Sequence, residues 1–146
     1  MATFSRQAIL EWDSDVMDGV GKVTAGTGAF AVPATFPSTA GEAAGQTTPE
    51  ELLAASHATC YGIGLRSLIS RRGGRARRVA VTATIIAEKG SQGIRIRSSH
   101  LRAEVESLEG INHAQLQELA QETRERCTIS MALNGSVAIT HDVIAR

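Results

Sequence analysis

Residues 48–72, "TPEELLAASHATCYGIGLRSLISRR", constrain the fold more than any other stretch. Thr48 suits a helix N-cap, Pro49 the first helical position, and Glu51, three residues after the cap, completes a capping box. At the far end Arg71 and Arg72 suit the negative pole of the helix dipole, and Gly73 and Gly74 stop the helix. Between these signals Leu52, Leu53, Ala54, Ala55, Ala58, Ile63, Leu65, Leu68 and Ile69 leave little polar face. A helix this apolar belongs at the centre of the molecule, and its buried face needs more cover than one short chain easily supplies. Gly62 and Gly64 each cost about 1 kcal/mol against alanine in a helix interior, so they imply a closely packed neighbour.

The rest of the chain fits one domain over residues 1–146, long enough to bury roughly two-thirds of its unfolded surface. Fifteen basic side chains balance 15 acidic ones, so no global charge points to nucleic acid or to a membrane surface. No run approaches the ~18 apolar residues of a membrane span, and the first residues lack a basic head and a cleavage signal. The expectation is a cytoplasmic protein. Cys60 and Cys127 are the only cysteines, too few for a disulfide scaffold and too far apart for a C-x-x-C motif.

Around the long helix, apolar parity predicts strands. "TFSRQAILEW" sets Phe4, Ala8, Leu10 and Trp12 on one face as a half-buried strand, and "KVTAGTGAFAV" reads as its hairpin return, punctuated by Gly26 and Gly28. Residues 33–48, rich in proline, glycine and small polar side chains, read as a long functional loop. After the helix, Val79, Val81, Ala83 and Ile85 alternate in a strand, and "KGSQG" turns into a second. There the apolar parity switches between Ile94/Ile96 and Leu101/Ala103/Val105, which predicts a bulge near Ser98 and Ser99. A second helix opens with a capping box of Asn112 and Gln115 and carries Leu116, Leu119, Ala120, Thr123 and Cys127 on one face. "TISMALNG" reads as a turn into a last strand, "SVAITHDVI". The order implies an α+β protein with antiparallel sheet and two helices.

Both cysteines therefore fall on helix faces expected to be buried, where a lone cysteine ordinarily acts as a small hydrophobe. His57 lies three residues before Cys60 on the same face, close enough to influence the thiol. If the two helices pack together, the cysteines become neighbours. Glu50 is left over from the cap, about 15 Å along the helix axis from Cys60. Chemistry at Cys60 would then take Glu50 from a second copy, with the two long helices antiparallel; otherwise Glu50 is an exposed acid favoured by the helix dipole.

Residues 47–65 closely resemble one signature of the osmotically inducible protein C and organic hydroperoxide resistance (OsmC/Ohr) family, a Pro-Glu-Glu-Leu run followed by Ala-Ala-His-Ala-Ala-Cys. "CTISMALNG" (127–135) resembles the second, which usually reads Cys-Pro-x-Ser-x-x-Leu. The element order also matches over nearly the whole chain. The resemblance implies an OsmC-like fold in which two central helices pack against antiparallel sheets in an intertwined homodimer. It also implies a thiol peroxidase without cofactor or metal, with Cys60 as the peroxidatic cysteine, Cys127 as the resolving one and Glu50 organising the site. The implied partners are an organic hydroperoxide, with hydrogen peroxide a further substrate, and a dithiol reductant such as a lipoylated protein.

One departure stands out. Family members hold the thiolate with an arginine, whereas no arginine or lysine occurs from Val23 to Leu65. Arg6, Lys22 or a protonated His57 are the candidates to replace it. Without a replacement, the alternative is a family member with weak or lost peroxidase activity that binds an apolar small molecule. A third class, phosphate or nucleic-acid binding, would use Arg71, Arg72, Arg75, Arg77 and Arg78. Aromatics make up only 3% of the chain, so stacking platforms are scarce and a solvated basic surface is the simpler reading. His57, His100, His113 and His141 show no metal-ligand spacing with the cysteines.

Overall fold

The computed structural model describes residues 1–17, 20–35 and 45–146. Most of the long loop expected over 33–48 lies outside these residues. The chain divides into two compact units, Met1–Leu52 and Leu53–Arg146.

The first unit is built on a three-stranded antiparallel sheet of β1 (Ala8–Asp13), β2 (Val20–Ala25) and β3 (Ala31–Ala34), in that order. The single return strand expected after Lys22 is thus two strands. Gly28 takes a left-handed φ of 78°, and Ala25 N–H closes the turn onto Phe30 O at 2.9 Å. Gly21 is required by contact: a Cβ there would lie 2.4 Å from the Trp12 ring. The half-burial expected of β1 is not found. Phe4 precedes the strand and is exposed, as are Ile9 and Leu10, because among the described residues no second layer within this unit covers them.

Helix α1 (Pro49–Arg71) opens at the end of the first unit and runs into the second. Thr48 Oγ1 accepts from Glu51 N–H at 3.3 Å, as the cap requires. The reciprocal half of the box is different: the Glu51 carboxylate accepts from the Thr47 hydroxyl at 2.9 Å. Only one face of α1 is buried, through His57, Tyr61, Leu65, Leu68 and Ile69, while Ile63 on the opposite side is 68% exposed.

The buried face of α1 shares the second unit's core with β5 (Gly93–Glu106), α2 (His113–Arg126) and β6 (Ala138–Ala145). Leu101, Ala103 and Val105 of β5 and Leu116, Leu119 and Ala120 of α2 are fully enclosed there. Tyr61 Oη donates to Ala120 O at 3.2 Å, fastening α1 to α2. The two helix glycines do what their cost implied: a Cβ at Gly64 would stand 3.2 Å from Thr123 Cγ2, and one at Gly62 would stand 3.3 Å from Val81 Cγ2.

The sheet of this unit runs β4 (Arg78–Gly90), β5, β6. β4 and β5 form the expected antiparallel ribbon, but β5 and β6 are parallel, so this sheet is mixed rather than wholly antiparallel. The physical reason is the connection: the chain crosses over through α2 before returning beside β5, which reverses the hairpin direction. The expected bulge is present, with Ile86 opposite Ser98 and Ala87 opposite Ile96, leaving Arg97 as the extra residue. It rotates the downstream parity so that Ser99, Leu101, Ala103 and Val105 all point inward. The α2 capping box is complete, with both Asn112–Gln115 bonds at 2.8 Å. "TISMAL", expected as a turn, is a third helix, α3 (Thr128–Leu133).

Leu65 lies at the middle of this core and has no exposed surface. Leu65→Ala is expected to destabilise the fold by about 2–5 kcal/mol, read as a lower urea midpoint with an unchanged slope.

Candidate active site

Cys60 sits on α1, partly exposed, and Cys127 is buried where α2 ends and α3 begins. Cys127 is both the C-cap of α2, with its N–H bonded to Thr123 O at 2.8 Å, and the N-cap of α3, with its Sγ accepting from Ser130 N–H at 3.5 Å. This double role makes a sharp corner and aims the side chain back at α1. Cys127 lies close enough to Cys60 to act on its thiol, and both thiols are free. The backbone amides of Ile129 and Thr128, at the start of α3, act on the Cys60 thiol as well. Thr128 stands where the resembling motif has proline, and a proline would have no N–H to give.

These surroundings act on the Cys60 pKa in opposite senses. Burial pushes it up, the adjacent Cys127 adds to the rise, and the Ile129 and Thr128 amides pull it down without reversing it. The thiolate is therefore the minor form at neutral pH.

His57 does not supply the missing cation. Its ring is fully buried, with Nδ1 2.7 Å from Ser99 Oγ and Nε2 2.7 Å from Ser130 Oγ. Burial lowers its pKa, so the imidazole is neutral at physiological pH. Neither serine is apparent as a site residue from spacing alone, although Ser130 occupies the serine position of the second motif.

Arg6 donates to Ser5 O and stacks over the Phe4 ring, and Lys22 lies 3.9 Å from Glu11, all within the first unit. Glu50 is in the first turn of α1, part-exposed and without an ion pair among the described residues. Since α1 is continuous, ten residues of helix, about 15 Å, separate it from Cys60. The arginine cluster is largely neutralised: Arg72 pairs with Glu122 and Arg75 with Glu109, each at 3.2 Å, and Arg77 and Arg78 share Glu106. That arrangement disfavours a phosphate-binding face. Among the described residues, no three His, Cys, Asp or Glu side chains cluster to hold a metal ion. An open cavity of about 720 Å³ lies against α1, floored by Ala58, Gly62, Ile63, Val79 and Val81 and rimmed by Arg66, Arg77 and Arg78.

A raised thiol pKa fixes the sign of the pH dependence. Alkylation of Cys60 by iodoacetamide is expected to be slow at neutral pH and to climb about tenfold per unit until the pKa is reached. Thr128→Pro removes one amide donor at a helix position that tolerates proline, so its profile is expected to move to higher pH. A profile that is flat near neutrality in the parent would contradict this electrostatic account.

A family model described as OsmC-like protein matches residues 41–142. Among characterised relatives, Peroxiredoxin OsmC of Escherichia coli (strain K12) is 24% identical over 141 residues, covering 97% of this chain and 98% of the relative. Among solved structures, an organic hydroperoxide resistance protein from Elizabethkingia anophelis superposes with a TM-score of 0.79 at 19% identity, covering 99% of both chains. The organic hydroperoxide resistance protein OhrB of Bacillus subtilis does so with a TM-score of 0.73 at 23% identity, covering 98% of this chain and all of the other.

Proposed function

Because the chain belongs to the OsmC-like protein family, we propose that it is a thiol peroxidase of a single domain that reduces organic hydroperoxides, and hydrogen peroxide as a further substrate, through Cys60 and Cys127. The observation that carries this reading is that the only two cysteines, 67 residues apart in sequence (127 − 60 = 67), stand as free thiols close enough for Cys127 to act on Cys60. The names of the relatives, a peroxiredoxin and hydroperoxide resistance proteins, support the reaction class.

In the proposed cycle the Cys60 thiolate attacks the outer oxygen of the hydroperoxide. The O–O bond breaks, the departing alkoxide takes a proton and leaves as the alcohol, and Cys60 becomes a sulfenic acid. Cys127, having given up its proton, then attacks that sulfur, the sulfenic hydroxyl leaves and takes up that proton as water, and a Cys60–Cys127 disulfide forms. A dithiol reductant, of the kind carried by lipoylated proteins, returns both cysteines to thiols by exchange. Two free thiols suit the reducing cytoplasm, where we place the enzyme.

The active assembly in this reading is an intertwined homodimer. The exposed face of α1 around Ile63, and Ile9, Leu10 and Val20 on the first sheet, leave apolar surface bare in one chain. An antiparallel partner helix would cover the first and bring the partner's own first turn, with its Glu50 equivalent, beside Cys60. Sedimentation at micromolar concentration is expected to give a dimer; a natively folded monomer would overturn this part.

A second reading has one observation in its favour. The Cys60 pKa is raised, and no side-chain cation is among the groups that act on it, so a protein that only binds an apolar small molecule is its competitor. Consumption of cumene hydroperoxide with a dithiol reductant separates the two. The peroxidase reading expects turnover that exceeds turnover of hydrogen peroxide, is abolished in Cys60→Ser, and falls severalfold in Glu50→Gln. No consumption at any pH up to about 9, where the thiolate fraction is far larger than at neutrality, would leave the binding reading standing.

A further inference from the structure

Ser130 is held at two points that lead in different directions. Its backbone N–H donates to Cys127 Sγ at 3.5 Å, and its hydroxyl lies 2.7 Å from His57 Nε2. His57 stands three residues before Cys60 on α1, and its other nitrogen is 2.7 Å from Ser99 Oγ on β5. The imidazole thus joins three separately folded elements, α1, β5 and α3, at one buried point. A neutral ring donates through one nitrogen and accepts through the other, and each serine hydroxyl can rotate to match either tautomer. Both ring nitrogens are satisfied, and no apolar side chain of similar size would reproduce either bond.

We propose that His57 is a positioning residue for disulfide formation, holding α3 through Ser130 so that Cys127 stays facing Cys60. The inference rests on the proposed use of the two cysteines as a redox pair, but it concerns their juxtaposition rather than the peroxide step. The chain of contacts is short and rigid: Cys60 and His57 share one helix, His57 fixes the Ser130 side chain, and the Ser130 backbone fixes the Cys127 sulfur. Without the ring's bonds, α3, a six-residue helix, keeps its bonded corner with α2 at Cys127 but loses the side-chain tie from Ser130 to α1. Ser99 is the anchor on the far side. The bulge at Arg97 rotates Ser99 inward, so the β5 irregularity and the histidine's second bond belong to one device.

The test is the equilibrium of the Cys60–Cys127 disulfide in a dithiol–disulfide redox buffer, which requires no peroxide turnover. The parent is expected to form the intrachain disulfide. Ser130→Ala keeps the backbone N–H to Cys127 but loses the bond to His57, and His57→Leu loses both ring bonds. Each is expected to lower the effective concentration of the pair about tenfold, a rise in reduction potential of about 30 mV. His57→Gln retains an amide that reaches Ser130 and is expected to recover part of the loss, which a role in packing alone would not produce. Ser99→Ala is expected to shift the potential in the same direction by less. In single-turnover reactions the variants should slow the conversion of sulfenate to disulfide more than they slow the reaction of Cys60 with hydroperoxide. If His57→Leu fails to fold, Ser130→Ala and His57→Gln carry the test. Parent-like potentials in Ser130→Ala, a His57→Gln variant no better than His57→Leu, or a parent that forms no disulfide would each overturn the proposal. Shifted potentials in a protein that consumes no peroxide would sustain it while removing the peroxidase reading.

Discussion

Burial of one face of α1 against β5 and α2 is the contact on which the rest of the structure depends. Leu65 and Ile69 supply the apolar part of that face, and Tyr61 adds a hydrogen bond to the α2 backbone. The glycines at 62 and 64 let β4 and α2 come close enough for it to form. The same packing decides the chemistry of the cysteine one residue before Tyr61. It brings Cys60 to the corner where α2 ends and α3 begins, and it withdraws the thiol from water. Position and reactivity are therefore set together, and a change that loosens one alters the other.

Among the described residues, the electrostatic cost of this placement is offset in part by the backbone and not by a side-chain charge. In an apolar site a thiolate needs a cation or hydrogen-bond donors, and here the donors are the amides of Thr128 and Ile129. They offset part of the desolvation and leave the pKa above the ordinary value. His57, the nearest basic side chain along α1, adds no charge because it is itself buried and neutral. The site is thus better organised for bringing two sulfurs together than for ionising the first of them.

Much of this was legible in the sequence, for identifiable reasons. Helix signals rest on local chemistry, so both ends of α1 could be placed from Thr48 and Gly73, and the start of α2 from Asn112 and Gln115. The bulge was visible as a change of apolar parity. Helical spacing put both cysteines on buried helix faces, whereas Cys60 is part-exposed and Cys127 caps α2 instead of lying within it. What escaped depended on distant partners or on short segments. Six residues are too few to show a helical period, so α3 passed for a turn. The direction of β6 is set by the crossover, which no local pattern encodes. His57 was readable as a neighbour of Cys60 but not as a buried bridge, because Ser99 and Ser130 lie 42 and 73 residues away. The exposure of β1 shows the limit of parity arguments: alternation reports which face can be buried, and a covering layer decides whether it is.

The central claim is that Cys60 and Cys127 act as one redox pair, and peptide mapping after a single equivalent of organic hydroperoxide tests it most directly. The account expects one intrachain disulfide joining Cys60 to Cys127, with both free thiols lost together. Two thiols still free, or Cys60 carried on to sulfinic acid with Cys127 unchanged, would contradict it.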